Sequence, residues 1–238
     1  MSVLESLRET LAGPLAGVVM TLGAYEVGRW LQRRTGGHAL AQPVLVAIVL
    51  VGAVLLLTGT SYDDYLSGAS LIAFLLGPAT VALALPLHRE MARVRRAAPA
   101  VLCAVAAGAV TSVVTAILVT QLLGAPQEVA AAASAKATTT PVAIALSAEV
   151  GGIPALAAVL AITAGIMGAV AAPALLTLLR IRDARARGLA MGAVSHGIGT
   201  SRSLAEGRTE GAFSGLSMGL TALATAAVLP PLAGLLLR

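Results

Sequence analysis

Lys136-Ala137-Thr138-Thr139-Thr140-Pro141 follows an alanine run and leads into the apolar PVAIAL of residues 141–146. A cation, three consecutive threonines and a proline do not belong in a hydrocarbon-embedded helix unless protein or water satisfies them. The reading of this stretch decides the fold, because it either kinks a spanning helix or forms the tip of a segment that turns back. We read it as the centre of a small-molecule pathway.

The surrounding chain has membrane composition. Of 238 residues, 58% are hydrophobic and 11% charged, against about 45–50% and about 25% in soluble domains. Aromatics make up 3% and glycines number 25, so the apolar mass is Ala, Leu and Val. That suits helices packed through small side chains and not the alternating, aromatic-girdled strands of a lipid barrel. An all-α polytopic membrane protein is expected. The net charge of +5 comes from arginines clustered between apolar runs, which orients a membrane protein and does not point to nucleic acid. Cys103 is the single cysteine and lies in an apolar run. It reads as packing, with no disulfide framework and no metal site within one chain. The N-terminal MSVLESLRET carries two Glu and an Arg, and the apolar run after it outlasts a signal-peptide core, so no cleavage is expected.

Outward from the hexapeptide, apolar runs at residues 11–30, 43–59, 66–87, 99–123, 154–179 and 213–229 have lengths near that of a spanning helix. The third carries Gly77-Pro78 and then Thr80; the lost amide and the ring clash should break or kink it there. Pro230-Pro231 should stop the last. Arg29, Arg33, Arg34 and His38 make a basic loop, and Ser61 to Tyr65 an acidic turn with two tyrosines suited to an interface. The expected total is about six spanning helices plus two broken or re-entrant half-helix elements, in one domain over residues 1–238.

Two arginine clusters fix the topology of the central stretch. Arg89, Arg93, Arg95 and Arg96 form one, and Arg180, Arg182, Arg185 and Arg187 the other; both belong in the cytoplasm under the positive-inside rule. An even number of crossings must then lie between them, and residues 99–123 and 154–179 already supply two. Residues 129–150 should therefore enter from outside, turn at 137–141 and leave again as a re-entrant hairpin. The competing reading is a single kinked span with one cluster on the wrong side.

Ser195-His196-Gly197-Ile198-Gly199-Thr200-Ser201 is a second polar, glycine-broken stretch, following an apolar approach too short to span. It reads as a second half-helix. TVALAL at 80–85 resembles PVAIAL at 141–146, and PAV at 99–101 resembles PAL at 154–156. This is compatible with repeats over about 1–125 and 126–238, a plan used by transporters built from broken helices. It is equally compatible with chance in low-complexity sequence.

The chemistry these residues can do follows from their types. Lys136 could attract a carboxylate, with the amides of a helix starting near Pro141 and the hydroxyls of Thr138, Thr139 and Thr140 as donors. Alternatively the lysine reaches the outer interface and the threonines bond back to helix carbonyls. His196 could bind substrate or carry a proton, or be a hydrogen-bonded packing residue. Glu149 could pair with Lys136, relay a proton or lie in the outer interface. Arg202, Glu206, Arg208 and Glu210 read as a solvated, mutually compensating face, and His38 and His88 as solvated loop residues. Ser195 and His196 do not make a hydrolase, since neighbours on a helix do not face each other and no GxSxG elbow or acidic orienter is present. No enzyme activity and no cofactor are expected.

LLGPATVALALPL (75–87), KATTTPVAIALSAEVGG (136–152), AMGAVSHGIGTSRS (190–203) and EGAFSGLSMGL (210–220) resemble, in order and over nearly the whole chain, the LrgB (CidB/LrgB) family of bacterial membrane proteins. That resemblance implies a multi-pass protein of the bacterial cytoplasmic (inner) membrane. It also implies an antiholin-like role in regulating murein hydrolases and autolysis together with a small LrgA-type partner. The family's plant relatives are plastidial glycolate/glycerate translocators, and some bacterial members are linked to pyruvate, which implies small carboxylate transport. Ala137 stands where a serine is common, and Ser201 and Ser203 where alanines are common. The expected substrate site comprises Lys136, Thr138, Thr139, Thr140, Pro141, Ser195, His196, Gly197, Gly199 and Thr200, with His196 or Glu149 handling a proton. The expected partners are a small carboxylate, the lipid bilayer, an LrgA-type protein and, through the packing glycines, a second copy of the chain; nucleic acid is not among them.

Overall fold

The computed structural model describes residues 15–36, 41–82 and 84–237. The N-terminal residues up to 14 and His38 lie outside them. The described residues are helical, without strands, and the chain divides into two compact units, Met1–Ala82 and Leu83–Arg238.

The first unit contains α1 (Ala16–Arg34), α2 (Pro43–Thr58), α3 (Tyr62–Gly68) and α4 (Ser70–Ala82). Gln42 opens α2 by accepting the Leu45 amide at 2.8 Å, Pro43 occupies the first turn, and Gly59 ends it in the left-handed region at φ 65, where a glycine carries no steric penalty. Gly17 of α1 lies so close to α3 that an added methyl would come 2.6 Å from the Tyr65 carbonyl oxygen. Thr21 and the Tyr65 hydroxyl are 2.8 Å apart across the same contact. α4 continues through Gly77 and Pro78 to Ala82, so the interruption expected at Gly77-Pro78 is not seen as a break in the helix. The surroundings of Gly77 and Thr80 lie outside the described ones.

The second unit contains α5 (Ala84–Arg89), α6 (Met91–Leu122), α7 (Gln127–Ser134), α8 (Thr140–Glu149), α9 (Pro154–Leu178), α10 (Ala184–Glu206) and α11 (Arg208–Leu236). Among the described residues, α6, α9 and α11 are long and apolar enough to cross a membrane. The remaining expected spans are less complete. α1 carries Glu26, Arg29, Arg33 and Arg34, α2 has 16 residues, and the run at 66–87 is divided among α3, α4 and α5. Proline proved a weaker stop than expected. Pro99 lies inside α6, and Pro230 and Pro231 lie inside α11; packing against neighbouring helices offsets the lost amides.

The second unit has two distinct ends. At one, Arg93 and Arg96 of α6, Asp183 and Arg185 before and in α10, and Thr209 of α11 line a common cavity of about 360 Å³. There Asp183 caps α10 by accepting the Arg185 amide at 2.8 Å, and its side-chain bond with Arg185 holds the carboxyl down to about 2. At the other end, Gln121 donates to the Leu236 carbonyl at 2.7 Å and Gln127 to that of Leu237. α6 and α11 therefore run from the arginine-rich end to the opposite one, and α9 runs back.

Between them α7 and α8 form a hairpin. Gly152, just past α8, lies against the middle of α7: an added methyl would sit 2.6 Å from the Ala132 nitrogen and 2.9 Å from the Ala131 carbonyl carbon. Had the helix continued, those positions would be about 30 Å apart. The chain enters from the end opposite the arginines, turns at 135–139 and returns, as the parity of the arginine clusters requires. Gly151, at φ 77, makes the turn out of α8. Fully buried Ala130, Ala132 and Ala135 pack with Ala143, Ala157 and Ala161, and these small side chains allow the hairpin to seat closely.

α10 is the second hairpin. Its helical dihedrals fail at His196, with φ 38 and ψ −127. The arm before it packs by Gly188 on Glu210 and by Gly192 on Ser214. The arm after it packs back on the same stretch, through Thr200 with Ser214 at 3.0 Å and Leu204 against Gly211. It enters from the arginine-rich end.

Candidate functional site

The first hairpin's tip exists because Lys136 to Thr139 cannot continue α7. The Thr138 hydroxyl donates to the Ala135 carbonyl at 2.8 Å and the side chain is buried, which satisfies the backbone locally instead of a helix. Thr139 occupies the start of α8 in extended conformation without capping it, and Pro141 follows in the first turn. The opening amides of α8 are thus left without a side-chain acceptor. Lys136 is half-buried and its Nζ reaches the Ser112 carbonyl of α6 at 3.5 Å, a long contact that leaves most of its donor capacity unused. Thr140 is half-buried and Pro141 exposed.

The second hairpin's tip is His196, 5% exposed. Its Nε2 lies 2.9 Å from the Ala161 carbonyl of α9. A carbonyl only accepts, so Nε2 carries the proton and Nδ1 remains as the free acceptor. Thr200 donates to the His196 carbonyl at 2.8 Å, Ser195 is buried without a partner, Gly197 is exposed and Gly199 buried. An added methyl at Gly165 would come 2.6 Å from the imidazole, so α9 leaves space there for the ring.

The two tips converge on one point of α9. Ala161 accepts the His196 bond and is also packed in the apolar cluster with Ala135 and Ala143 of the first hairpin. One reading open for Glu149, a pairing with Lys136, is not made among the described residues, and Glu210 sits differently from expectation. Glu149 is exposed at the far end of α8 and lines, with Gln127 and Gly151, a cavity of about 460 Å³ at the end opposite the arginines. α8 separates it from Lys136 by about 15 Å of helix, and no ion pair joins them among the described residues. Glu210 does not belong to a solvated face; it is buried and pairs with Arg187 at 3.5 Å, because Gly188 lets α10 approach its backbone. Arg202 and Glu206 do pair at 2.8 Å.

Reading the sequence missed a row of hydroxyls on α11. Ser214, Ser217, Thr221 and Thr225, all buried, recur at a spacing of three or four and share one helix face. That period was the available signal.

A protein-family model described as the LrgB-like family matches residues 21–235. The chain belongs to the LrgB family. Similar relatives are the antiholin-like proteins LrgB of Bacillus mycoides (strain KBAB4) and Bacillus cereus (strain B4264), each 30% identical over 91% of this chain and 94% of its own. The antiholin-like protein LrgB of Bacillus anthracis (strain CDC 684 / NRRL 3495) matches to the same extent. No solved structure matches. Family membership and the long apolar helices make this LrgB-family chain a membrane protein.

Proposed function

We propose that this LrgB-family protein transports small carboxylates of the pyruvate, glycolate or glycerate type across the bacterial inner membrane, which it crosses several times, with proton coupling. The observation that carries this reading is the approach of two broken tips, from opposite ends, to Ala161 of α9. Lys136 and the opening amides of α8 receive the carboxylate, since both favour negative charge, and Thr139 and Thr140 add hydroxyl donors. His196 takes up the coupled proton at Nδ1. Glu149 meets solvent protons at the cavity opposite the arginines. The arginine-rich end faces the cytoplasm.

Uptake into proteoliposomes under an imposed pH gradient tests this. The parent chain should accumulate labelled pyruvate or glycolate, and Lys136→Ala should lower the rate at least about tenfold, the effect of losing a charge-assisted bond. A parent that moves neither acid at any gradient removes the transport reading, and a fully active Lys136→Ala removes the site.

The relatives' printed name supports a second reading, an antiholin-like regulator of murein hydrolase activity and autolysis acting with a small LrgA-type partner. In that case altered lysis persists when Lys136 and His196 are substituted, and depends on helix surfaces that meet the partner.

A further inference from the structure

The hydroxyls of Thr221 and Thr225 behave unlike those of five other helical threonines. Thr21, Thr115, Thr120, Thr163 and Thr177 each donate to the carbonyl four residues back at 2.6–2.8 Å, the usual way a threonine is satisfied within a helix in an apolar setting. Thr221 and Thr225 are only 2% and 1% exposed, yet neither hydroxyl has a hydrogen-bond partner. Their position is particular. On the same face of α11, Ser214 meets Thr200 and Ser217 donates to the Leu189 carbonyl, both in the second hairpin. About three turns beyond Ser217, Leu229 packs with Ala135 and Ala143 of the first hairpin. Thr221 and Thr225 occupy the interval, about 6 Å apart along the axis, where neither hairpin covers α11 with a polar partner.

A buried hydroxyl without a partner is costly, and a pair in register between the tips of two broken helices is a built-in demand for a ligand oxygen. We propose that Thr221 and Thr225 are specificity-determining residues of the transport pathway. They bind the hydroxyl or oxo oxygen that a small acid carries in addition to its carboxylate, and so favour such acids over plain alkyl carboxylates. This rests on the transport reading above. A hydroxyl both donates and accepts, so one pair of threonines serves hydroxy and oxo acids alike. A site whose polar groups are left unpaired by the wrong substrate discriminates far better than an apolar pocket judging size.

The experiment compares proteoliposomes holding the parent, Thr221→Val, Thr225→Val and the corresponding Thr→Ser variants. Uptake of labelled glycolate and of labelled acetate is measured at pH 8, with protein-free liposomes subtracted. Valine keeps the shape and removes only the hydroxyl. The expected result is a loss of about tenfold or more in the glycolate-to-acetate ratio for each valine variant, recovered in the serine variants. A ratio unchanged by valine, or both acids lost in parallel, overturns this assignment while a working parent leaves the transport reading standing. A parent that carries neither acid overturns both. Thermal melts of the same samples add a second arm. Valine variants should melt no lower than the parent, and a marked drop would reveal a structural partner for the hydroxyl and overturn the assignment.

Discussion

His196 combines a backbone that resists a side chain with a side chain that is anchored. Its φ of 38 and ψ of −127 lie where residues other than glycine are strained by about 1–3 kcal/mol, and its ring bond to Ala161 is one contact that offsets the strain. Removing the ring separates the two effects. His196→Ala should destabilise the protein, keeping the strain and losing the bond. His196→Gly loses the same bond but relieves the strain, and should be more stable than the alanine variant by about 1 kcal/mol after the glycine's own entropic cost, with a correspondingly higher melting point. Thermal unfolding in detergent, read by tryptophan or dye fluorescence, compares them; an alanine variant as stable as the glycine variant would mean that residue 196 is not strained. The sequence singles out this residue, a histidine bracketed by Ser195 and Gly197 in a glycine-broken run, while leaving open substrate binding, proton transfer or hydrogen-bonded packing. It does not reveal the acceptor, because Ala161 contributes only a carbonyl, and every residue has one. Thr221 and Thr225 were hidden for a similar reason. Whether a helical threonine bonds back to its own helix depends on its rotamer, which residue type does not disclose.

The same local blindness applies to whole elements, where proline marks some helix starts, at Pro43 and Pro154, and misleads at other positions. Pro99, Pro230 and Pro231 are expected at helix ends and each lies inside one, because neighbouring helices decide whether a lost amide is tolerable. Gly151-Gly152 falls between the expected hairpin at 129–150 and the run from 154, and the structure gives each a role: one residue makes the turn and the next permits backbone contact between the arms of the first hairpin. This contact predicts an asymmetric glycine series. Gly152→Ala forces a methyl to 2.6 Å from the Ala132 nitrogen, a backbone atom that cannot rotate away, and should cost about 1–3 kcal/mol. Gly219→Ala on α11 meets nothing within 4 Å and should be neutral or stabilising by about 0.5–1 kcal/mol, through helix propensity alone. SDS-induced unfolding of the two variants beside the parent measures the difference. Equal stability of the two would mean that the arms of the hairpin do not meet at Gly152.

At the scale of the whole molecule the most informative feature of the sequence is the placement of its arginines, which is a constraint on parity and not on local structure. Counting clusters gives the return of residues 129–150 without any knowledge of packing, whereas the second hairpin, lying between Arg187 and Arg208 with charges on both flanks, needs the reversal at His196 to be seen. Both hairpins together make one prediction that a kinked crossing cannot share. Glu128 and Glu149 begin α7 and end α8, Arg182 precedes α10 and Glu206 ends it, and all four are exposed. Cys103, the single cysteine, is itself exposed, so Cys103→Ala provides the background. Single cysteines are then introduced as Glu128→Cys, Glu149→Cys, Arg182→Cys and Glu206→Cys, and each is treated with a membrane-impermeant maleimide on sealed vesicles of known orientation. Two hairpins entering from opposite faces require positions 128 and 149 to label from one side and positions 182 and 206 from the other. A segment that crossed at Lys136 to Pro141 would put 128 and 149 on opposite sides, and a continuous α10 would do the same to 182 and 206. Because the two pairs are scored separately, each hairpin stands or falls on its own.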